Sequence, residues 1–219
     1  MKELFRSRKR LLDPIDRVSE ILFGLIMVLS FTGSLSVAQA GRAEVRTMLL
    51  GALGCNLVWG FIDGVFYLMG CLAESSRSLV TFRAVRQAKD AKEAQRLIAG
   101  ALPPLLASIT QPDELETLRQ RLRQLPDPPN RVHLPKEDWL GAAGVFLLVF
   151  LSTFPVVIPF LFMTHITLAM RVSNVIAIVM LFAAGCTFGN ITGRRPLVMG
   201  LAMVALGAML VSVAIALGG

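Results

Sequence analysis

The chain has 219 residues, of which 54% are hydrophobic and 17% are charged, and its mean hydropathy is +0.64. A soluble domain of this size has no use for so much apolar surface, whereas a polytopic membrane protein exposes it to lipid. The formal net charge of +7 indicates basic loops that face anionic lipid, and it needs no nucleic-acid partner.

Five long apolar stretches follow one another along the chain. Each is close to the ~20 residues that a helix needs to cross ~30 Å of hydrocarbon. After a basic N-terminal segment, 1–17, they predict membrane-spanning helices over residues 18–38, 47–72, 139–163, 168–189 and 196–217. The long second connection, 74–137, predicts a small cytoplasmic helical insert between helices 2 and 3. The predicted fold class is therefore all-α integral membrane.

The first apolar stretch also has a feature of a cleaved signal peptide. It follows a basic start and ends in Ala38-Gln39-Ala40, an A-x-A pattern. The stretch is nevertheless longer than the ~7–15 residues of a signal-peptide core, and acidic residues such as Asp16 and Glu20 interrupt its approach. We therefore predict a retained membrane span.

The basic residues predict the orientation of the chain in the membrane. Lysine and arginine concentrate before the first span and in the long second connection, whereas the other side holds only Arg42, Arg46 and Arg171. The positive-inside rule then places the N-terminus in the cytoplasm, and an odd number of spans places the C-terminus on the opposite side. We expect the plasma (inner) membrane rather than an organelle.

The cytoplasmic insert predicts two helices separated by prolines. A first helix over 75–102 ends at Pro103-Pro104, and a second begins near Thr110 and ends at Leu125, before a Pro-Asp-Pro-Pro segment. This module is too small and too thinly apolar to be an independent enzyme domain. The sequence also contains no H-E-x-x-H or G-x-S-x-G motif, so we predict neither an enzyme nor a resident cofactor.

A polar stripe runs along the second predicted span. A charge at the bilayer centre costs about 2.5–3.5 kcal/mol on insertion scales, so such a residue needs a partner, a cavity or a pathway. Asp63 lies ~15 Å from the cytoplasmic end of this helix at 1.5 Å per residue. At 100° per residue it shares one helix face with a set of polar and glycine residues: Asn56, Gly60, Tyr67, Gly70 and Glu74.

Glu20 begins the first predicted span from the same side of the membrane. If the first two helices are neighbours, Glu20, Glu74 and Asp63 form a ladder of carboxylates that rises from the cytoplasm. Hard divalent cations prefer carboxylate oxygens, and Met27 or Tyr67 can add secondary ligands. The structural alternative is that Asp63 is protonated or bonded to a neighbouring helix, and that Glu20 pairs with Arg17 or caps its helix.

The spans also resemble a known family of membrane proteins. The stretch CNLVWGFIDGVFYLMGCLAESSR, which contains Asn56 and Asp63, is similar to the second span of the vacuolar iron transporter family. SEILFGLIMVLSFTGSLSVA resembles its first span, STFPVVIPFLF its third-span proline motif, and CTFGNITGRRPLVMGLAMVALGAMLV its final loop and span. The resemblance implies a homodimer that exchanges divalent iron or manganese for protons along a path between the first two helices.

The sequence departs from the family pattern at the positions expected to bind metal. The first-span aspartate of the family falls at Met27, and its second-span methionine falls at Tyr67. The insert here is basic and has no cluster of glutamates. The resemblance therefore implies a metal site reduced to Asp63, helped by Glu20 and Glu74.

Two functions from different classes follow from these observations. The first is a secondary transporter of Fe²⁺ or Mn²⁺, in which Asp63 binds the transported ion and exchanges it for protons. The second is a non-transporting membrane scaffold whose basic cytoplasmic module binds a protein partner, with Asp63 holding helices together. The polar stripe favours transport, and the missing first-span aspartate favours the scaffold.

Overall fold

The computed structural model describes residues 14–34, 42–127 and 132–216, and within these ranges every regular element is a helix. The helices are α1 (Pro14–Ser34), α2 (Arg42–Gln87), α3 (Ala91–Ala101), α4 (Pro104–Ile109), α5 (Pro112–Gln124), α6 (Lys136–Ser152), α7 (Phe154–Phe162), α8 (Ile166–Ile191) and α9 (Pro196–Ala216). Residues 1–13 of the predicted basic segment, the end of the first predicted span and residue 217 of the fifth lie outside the described residues.

Two compact units divide the chain. The smaller unit contains the described residues of 68–136, and the larger unit contains those of 9–67 and 137–219. Helix α2 belongs to both, because its first part lies in the larger unit and the part from Leu68 onward lies in the smaller one. The cytoplasmic location of the smaller unit stays a prediction.

Four helical segments among the described residues are long and apolar enough to cross a membrane. They are Ala43–Gln87, Lys136–Phe162, Ile166–Ile191 and Pro196–Val213, and they coincide with the second to fifth predicted spans. This is the pattern of an all-α membrane protein. Helix α1 is 21 residues long and carries Asp16, Arg17 and Glu20 near its start. Its role as the first of five spans stays a prediction.

The third predicted span is interrupted where the sequence places its prolines. Helix α6 ends at Ser152, and α7 begins at Phe154 with Pro155 in its first turn and Pro159 inside it. A proline has no N–H to donate, so each one leaves a carbonyl of the preceding turn without its usual bond. The buried hydroxyl of Ser173 on α8 donates to the carbonyl of Val156 over 2.7 Å, which links α7 to α8 within apolar surroundings.

Helices α8 and α9 form a closely packed hairpin. A Cβ added at Gly185 would lie 2.6 Å from the carbonyl oxygen of Met199 and 2.8 Å from the Cα of Gly200. Small residues on both helices therefore allow the backbones to approach. Gly193 in the connecting turn has φ +68°, a left-handed conformation that favours glycine and ends α8.

The larger unit has a narrow core and an apolar exterior. Its buried cluster joins α1, α2, α7 and α8 through residues that include Leu25, Val28, Ala52, Val156 and Leu181. Many large apolar side chains on the outer faces of α2, α8 and α9 are exposed. In water such a surface would aggregate, so this distribution indicates contact with the lipid bilayer.

In the smaller unit, the C-terminal part of α2 packs with α3 and α5. Val85, Ala94 and Ile98 form its buried cluster. The predicted single helix over 75–102 is wrong, because α2 continues from the membrane span to Gln87 and α3 begins anew at Ala91. The break is stabilised by Asp90, whose side chain accepts from the N–H of Glu93 over 2.7 Å as an N-cap. The second predicted helix is confirmed as α5.

A network of polar side chains joins α3 to α5. The Arg119 guanidinium donates to both carboxylate oxygens of Glu116, and the amide of Gln95 on α3 reaches the same carboxylate over 3.1 Å. Hydrogen bonds from Arg119, and then from Gln120, lower the pKa of Glu116 from 4.5 to about 2. Glu116 is therefore ionised throughout the physiological pH range.

Candidate functional site

The side chains of Glu20 on α1 and Asp63 on α2 meet in the larger unit. Their carboxyl groups lie close enough to interact directly, and both residues are half-buried. A carboxylate has no hydrogen to donate, so a bond between two carboxyl groups contains one proton. The structure therefore places two acidic groups side by side between α1 and α2, where a hydrogen bond between them would contain one proton.

Helices α1 and α2 are antiparallel neighbours around this pair. One turn after Glu20, the carbonyl of Gly24 accepts from the Nδ2 of Asn56 over 3.3 Å. Beside this bond, the rings of Phe23 and Trp59 meet edge to face with centroids 5.2 Å apart. The condition for the predicted carboxylate ladder, that the first two helices are neighbours, is therefore met.

Glycines bring α6 against both helices at the level of the carboxyl pair. A Cβ at Gly24 would overlap the Oγ of Ser152 and lie 2.7 Å from the carbonyl oxygen of Val149. On α2, a Cβ at Gly60 would lie 3.0 Å from the carbonyl oxygen of Phe146, and one at Gly64 would lie 3.2 Å from that of Ala142. Because these positions have no side chain, the three helices pack closely around Glu20 and Asp63.

Asn56 supplies a second polar group to the α1–α2 interface. Its side chain is completely buried, and its Oδ1 is the one buried side-chain oxygen or nitrogen in the described part of the chain that lacks a hydrogen-bond partner. A buried acceptor without a partner costs about 1–3 kcal/mol. Asn56 lies two helical turns, or ~10 Å, from Asp63 along α2, so it marks a second position along the same interface.

The other predicted ligands lie at further positions along α1 and α2. The Tyr67 ring, one turn beyond Asp63, packs against Gly141 of α6, where an added Cβ would lie 2.5 Å from the ring atoms Cε1 and Cζ. Met27 is half-buried on α1, two turns after Glu20. Glu74 belongs to the smaller unit. The structure thus brings together Glu20 and Asp63, with Asn56 further along the interface, and the metal-binding role of all six residues stays a prediction.

Ser152 is a polar neighbour that the sequence analysis did not select. Its hydroxyl is buried, donates to the carbonyl of Val149 over 2.8 Å, and faces Gly24. The signal available in the sequence was the Ser152-Thr153 pair next to Pro155 in an otherwise apolar span. A hydroxyl keeps acceptor capacity while it donates, so Ser152 can accept a further hydrogen bond.

The oxygens of the pair are its available ligand atoms. Two carboxyl groups offer up to four oxygens, the ligand type that hard divalent cations prefer. Within the described ranges no group of three or more His, Cys, Asp or Glu side chains is arranged to hold a metal ion. Metal binding by the pair therefore stays a prediction.

In comparisons with known proteins, no protein-family model and no curated protein matches the chain. The resemblance to the vacuolar iron transporter family therefore stays a prediction that rests on the motifs in the four spans.

Proposed function

We propose that the chain is a secondary transporter that moves a divalent cation, Fe²⁺ or Mn²⁺, across the membrane in exchange for protons. The observation that supports this proposal is the adjacent pair of carboxyl groups, Glu20 and Asp63, between two apolar helices. A cation and a proton compete for the same carboxylate oxygens, so binding of one displaces the other. This competition is the elementary step of an exchanger.

Charge balance explains why two carboxyl groups suit this role. With one shared proton the pair carries a single negative charge, and without it the pair carries two, which match a divalent cation. An isolated charge in an apolar environment is costly. When the ion leaves as a proton returns, the charge left on the pair is one negative charge instead of two, which lowers this cost and couples the two fluxes.

The proposal extends to the arrangement of the chain in its membrane. Helix α1 is the first of five spans, the N-terminus and the smaller unit are cytoplasmic, the C-terminus is on the opposite side, and the membrane is the plasma (inner) membrane. A two-fold homodimer would place a second Glu20–Asp63 pair beside the same path. Exposed apolar side chains on α2, such as Phe61 and Phe66, suit contact with a second copy or with lipid.

The scaffold is a second candidate, favoured by an observation in the smaller unit. That unit has its own core, and its helix α4 exposes the apolar side chains of Leu105, Leu106 and Ile109. Exposed apolar residues on a soluble module are a common feature of protein-binding surfaces. In a scaffold, the Glu20–Asp63 pair would serve only to hold α1 against α2.

Uptake by proteoliposomes distinguishes the two candidates. Purified protein is reconstituted, a pH gradient is imposed, and Mn²⁺ or Fe²⁺ entry is followed with an indicator dye in the lumen. We expect uptake by the wild type, no uptake by Asp63→Asn, and strongly reduced uptake by Glu20→Gln. The matched control is Glu44→Gln, at an exposed acidic residue in the first turn of α2, which should transport normally.

Failure of the folded wild-type protein to move either ion would overturn the transport proposal. The same conclusion would follow if Asp63→Asn transported as fast as Glu44→Gln. In either case the scaffold becomes the better account, and the smaller unit becomes the place to search for a protein partner.

A further inference from the structure

A cavity of about 480 Å³ lies at the opposite end of the larger unit's helices from the carboxyl pair. Its wall includes Val45, Leu49 and Leu53, which follow one face of α2 from its first turns. Val157 and Leu161 of α7 form another part of the wall. Leu161 is 65% exposed, so the cavity is open to its surroundings. In a membrane-embedded protein an open apolar cavity is a place for hydrocarbon.

One side chain in the wall carries a charge. Arg46 lines the cavity and is exposed, and in the part of the chain that the structure describes its guanidinium has no carboxylate partner. Thr164, in the connection between α7 and α8, adds a hydroxyl to the same wall. Among the described residues that line the cavity, the side chains are therefore apolar except for a cation and a hydroxyl.

The position of Arg46 matches the level of a lipid headgroup. It lies near the start of the membrane segment Ala43–Gln87, and the cavity also touches the end of α7 and the start of α8. Arginine near the end of a membrane helix extends its guanidinium to the interface, where phosphates lie. A guanidinium also binds a phosphate through two parallel hydrogen bonds.

We propose that this cavity binds an anionic phospholipid, with an acyl chain against Leu49, Leu53 and Val157 and the phosphate paired with Arg46. Both halves of the ligand follow from the described part of the wall: the apolar surface selects a hydrocarbon chain, and the Arg46 guanidinium selects a negatively charged headgroup. The inference depends on the membrane location of the larger unit and is independent of the proposed transport.

Lipid titration of the full chain in detergent, followed by native mass spectrometry, tests the headgroup. Phosphatidylglycerol and phosphatidylcholine with identical acyl chains are compared on wild type, Arg46→Gln and Arg171→Gln. One basic side chain near an anionic surface changes affinity about fivefold, so Arg46→Gln should weaken the binding of phosphatidylglycerol by that factor. It should weaken the binding of phosphatidylcholine less, because the choline cation already balances the phosphate of that lipid. Arg171 is exposed on α8 and does not line the cavity, so Arg171→Gln should retain wild-type binding of both lipids.

The apolar half of the site has its own pair of variants. Leu161→Trp fills the opening of the cavity and should weaken the binding of both lipids. The control is Leu197→Trp, at an equally exposed leucine on α9 that does not line the cavity, and it should leave the binding of both lipids unchanged. Soluble glycerol phosphate, which has the phosphate but no acyl chain, should fail to displace phosphatidylglycerol.

Three results would overturn the proposal. They are equal binding of the two lipids by the wild type, equal effects of Arg46→Gln and Arg171→Gln, and displacement of the lipid by glycerol phosphate.

Discussion

Replacement of Gly24 by alanine is a sharp test of the close packing around the carboxyl pair. The new methyl group would overlap the Oγ of Ser152, which can rotate, and would lie 2.7 Å from the carbonyl oxygen of Val149. That oxygen belongs to the backbone of α6 and cannot rotate away. Helices α1 and α6 must therefore separate by several tenths of an ångström.

The expected cost follows from two opposing effects. Forcing a methyl group into a well-packed contact destabilises a protein by about 1–3 kcal/mol. Alanine in a helix interior is more favourable than glycine by about 0.5–1 kcal/mol. The steric effect is the larger, and we expect a net loss of about 1–2 kcal/mol in the free energy of unfolding.

Gly54 provides a matched control for this measurement. It lies within the membrane segment of α2, is exposed, and a Cβ added there would have nothing within 4 Å. Equilibrium unfolding in mixed micelles of SDS and a mild detergent gives the stability of each variant. Gly24→Ala should unfold at a lower SDS fraction than wild type, and Gly54→Ala at the same fraction or a higher one. Equal stability of the two variants would refute the close approach of α1 and α6.

Three further predictions concern other parts of the structure. Asn56→Leu removes a buried acceptor without a partner together with the hydrogen bond to Gly24. The two effects oppose each other, so the free energy of unfolding in SDS should change by less than about 1 kcal/mol, and a larger loss would contradict the unsatisfied acceptor. Arg119→Gln should raise the pKa of Glu116 from about 2 toward 4.5 in a carboxyl NMR titration, because the guanidinium stabilises the ionised form. The stabilisation from this contact is complete above about pH 4.5 and disappears as the pH falls through about 2; an unchanged titration would refute the contact. Ile98→Ala should destabilise the smaller unit by about 2–5 kcal/mol in hydrogen exchange of α3, whereas Val80→Ala, at an exposed site, should have little effect.

The membrane helices were largely predictable because hydropathy is a property of consecutive residues. The predicted span 168–189 differs from α8 by two residues at each end, and the predicted start of the last span at Pro196 is the start of α9. The helix that contains the second predicted span continues beyond it. Neither proline nor glycine occurs between Leu72 and Gln87, where α2 ends, and α3 begins after the N-cap at Asp90.

The candidate site was predictable only in part. Helical periodicity placed Asn56 and Asp63 on one face of α2. Glu20 was expected near Asp63 because it begins the first predicted span at the same, cytoplasmic side of the membrane. Periodicity does not say which third helix covers that face. The contact of Gly24 with Ser152 on α6 and the unpartnered Oδ1 of Asn56 depend on three-dimensional packing between segments more than a hundred residues apart.

Proton release on cation binding tests the role of the Glu20–Asp63 pair most directly. Mn²⁺ is titrated into the purified protein at neutral pH in buffers of different ionisation enthalpy, and calorimetry gives the number of protons released for each ion bound. Because metal ligands must be deprotonated, we predict release of about one proton per Mn²⁺ by the wild type and a loss of both binding and release in Asp63→Asn. Mn²⁺ binding without proton release, or equal behaviour of Asp63→Asn and wild type, would contradict the proposal that the pair exchanges a proton for a metal ion.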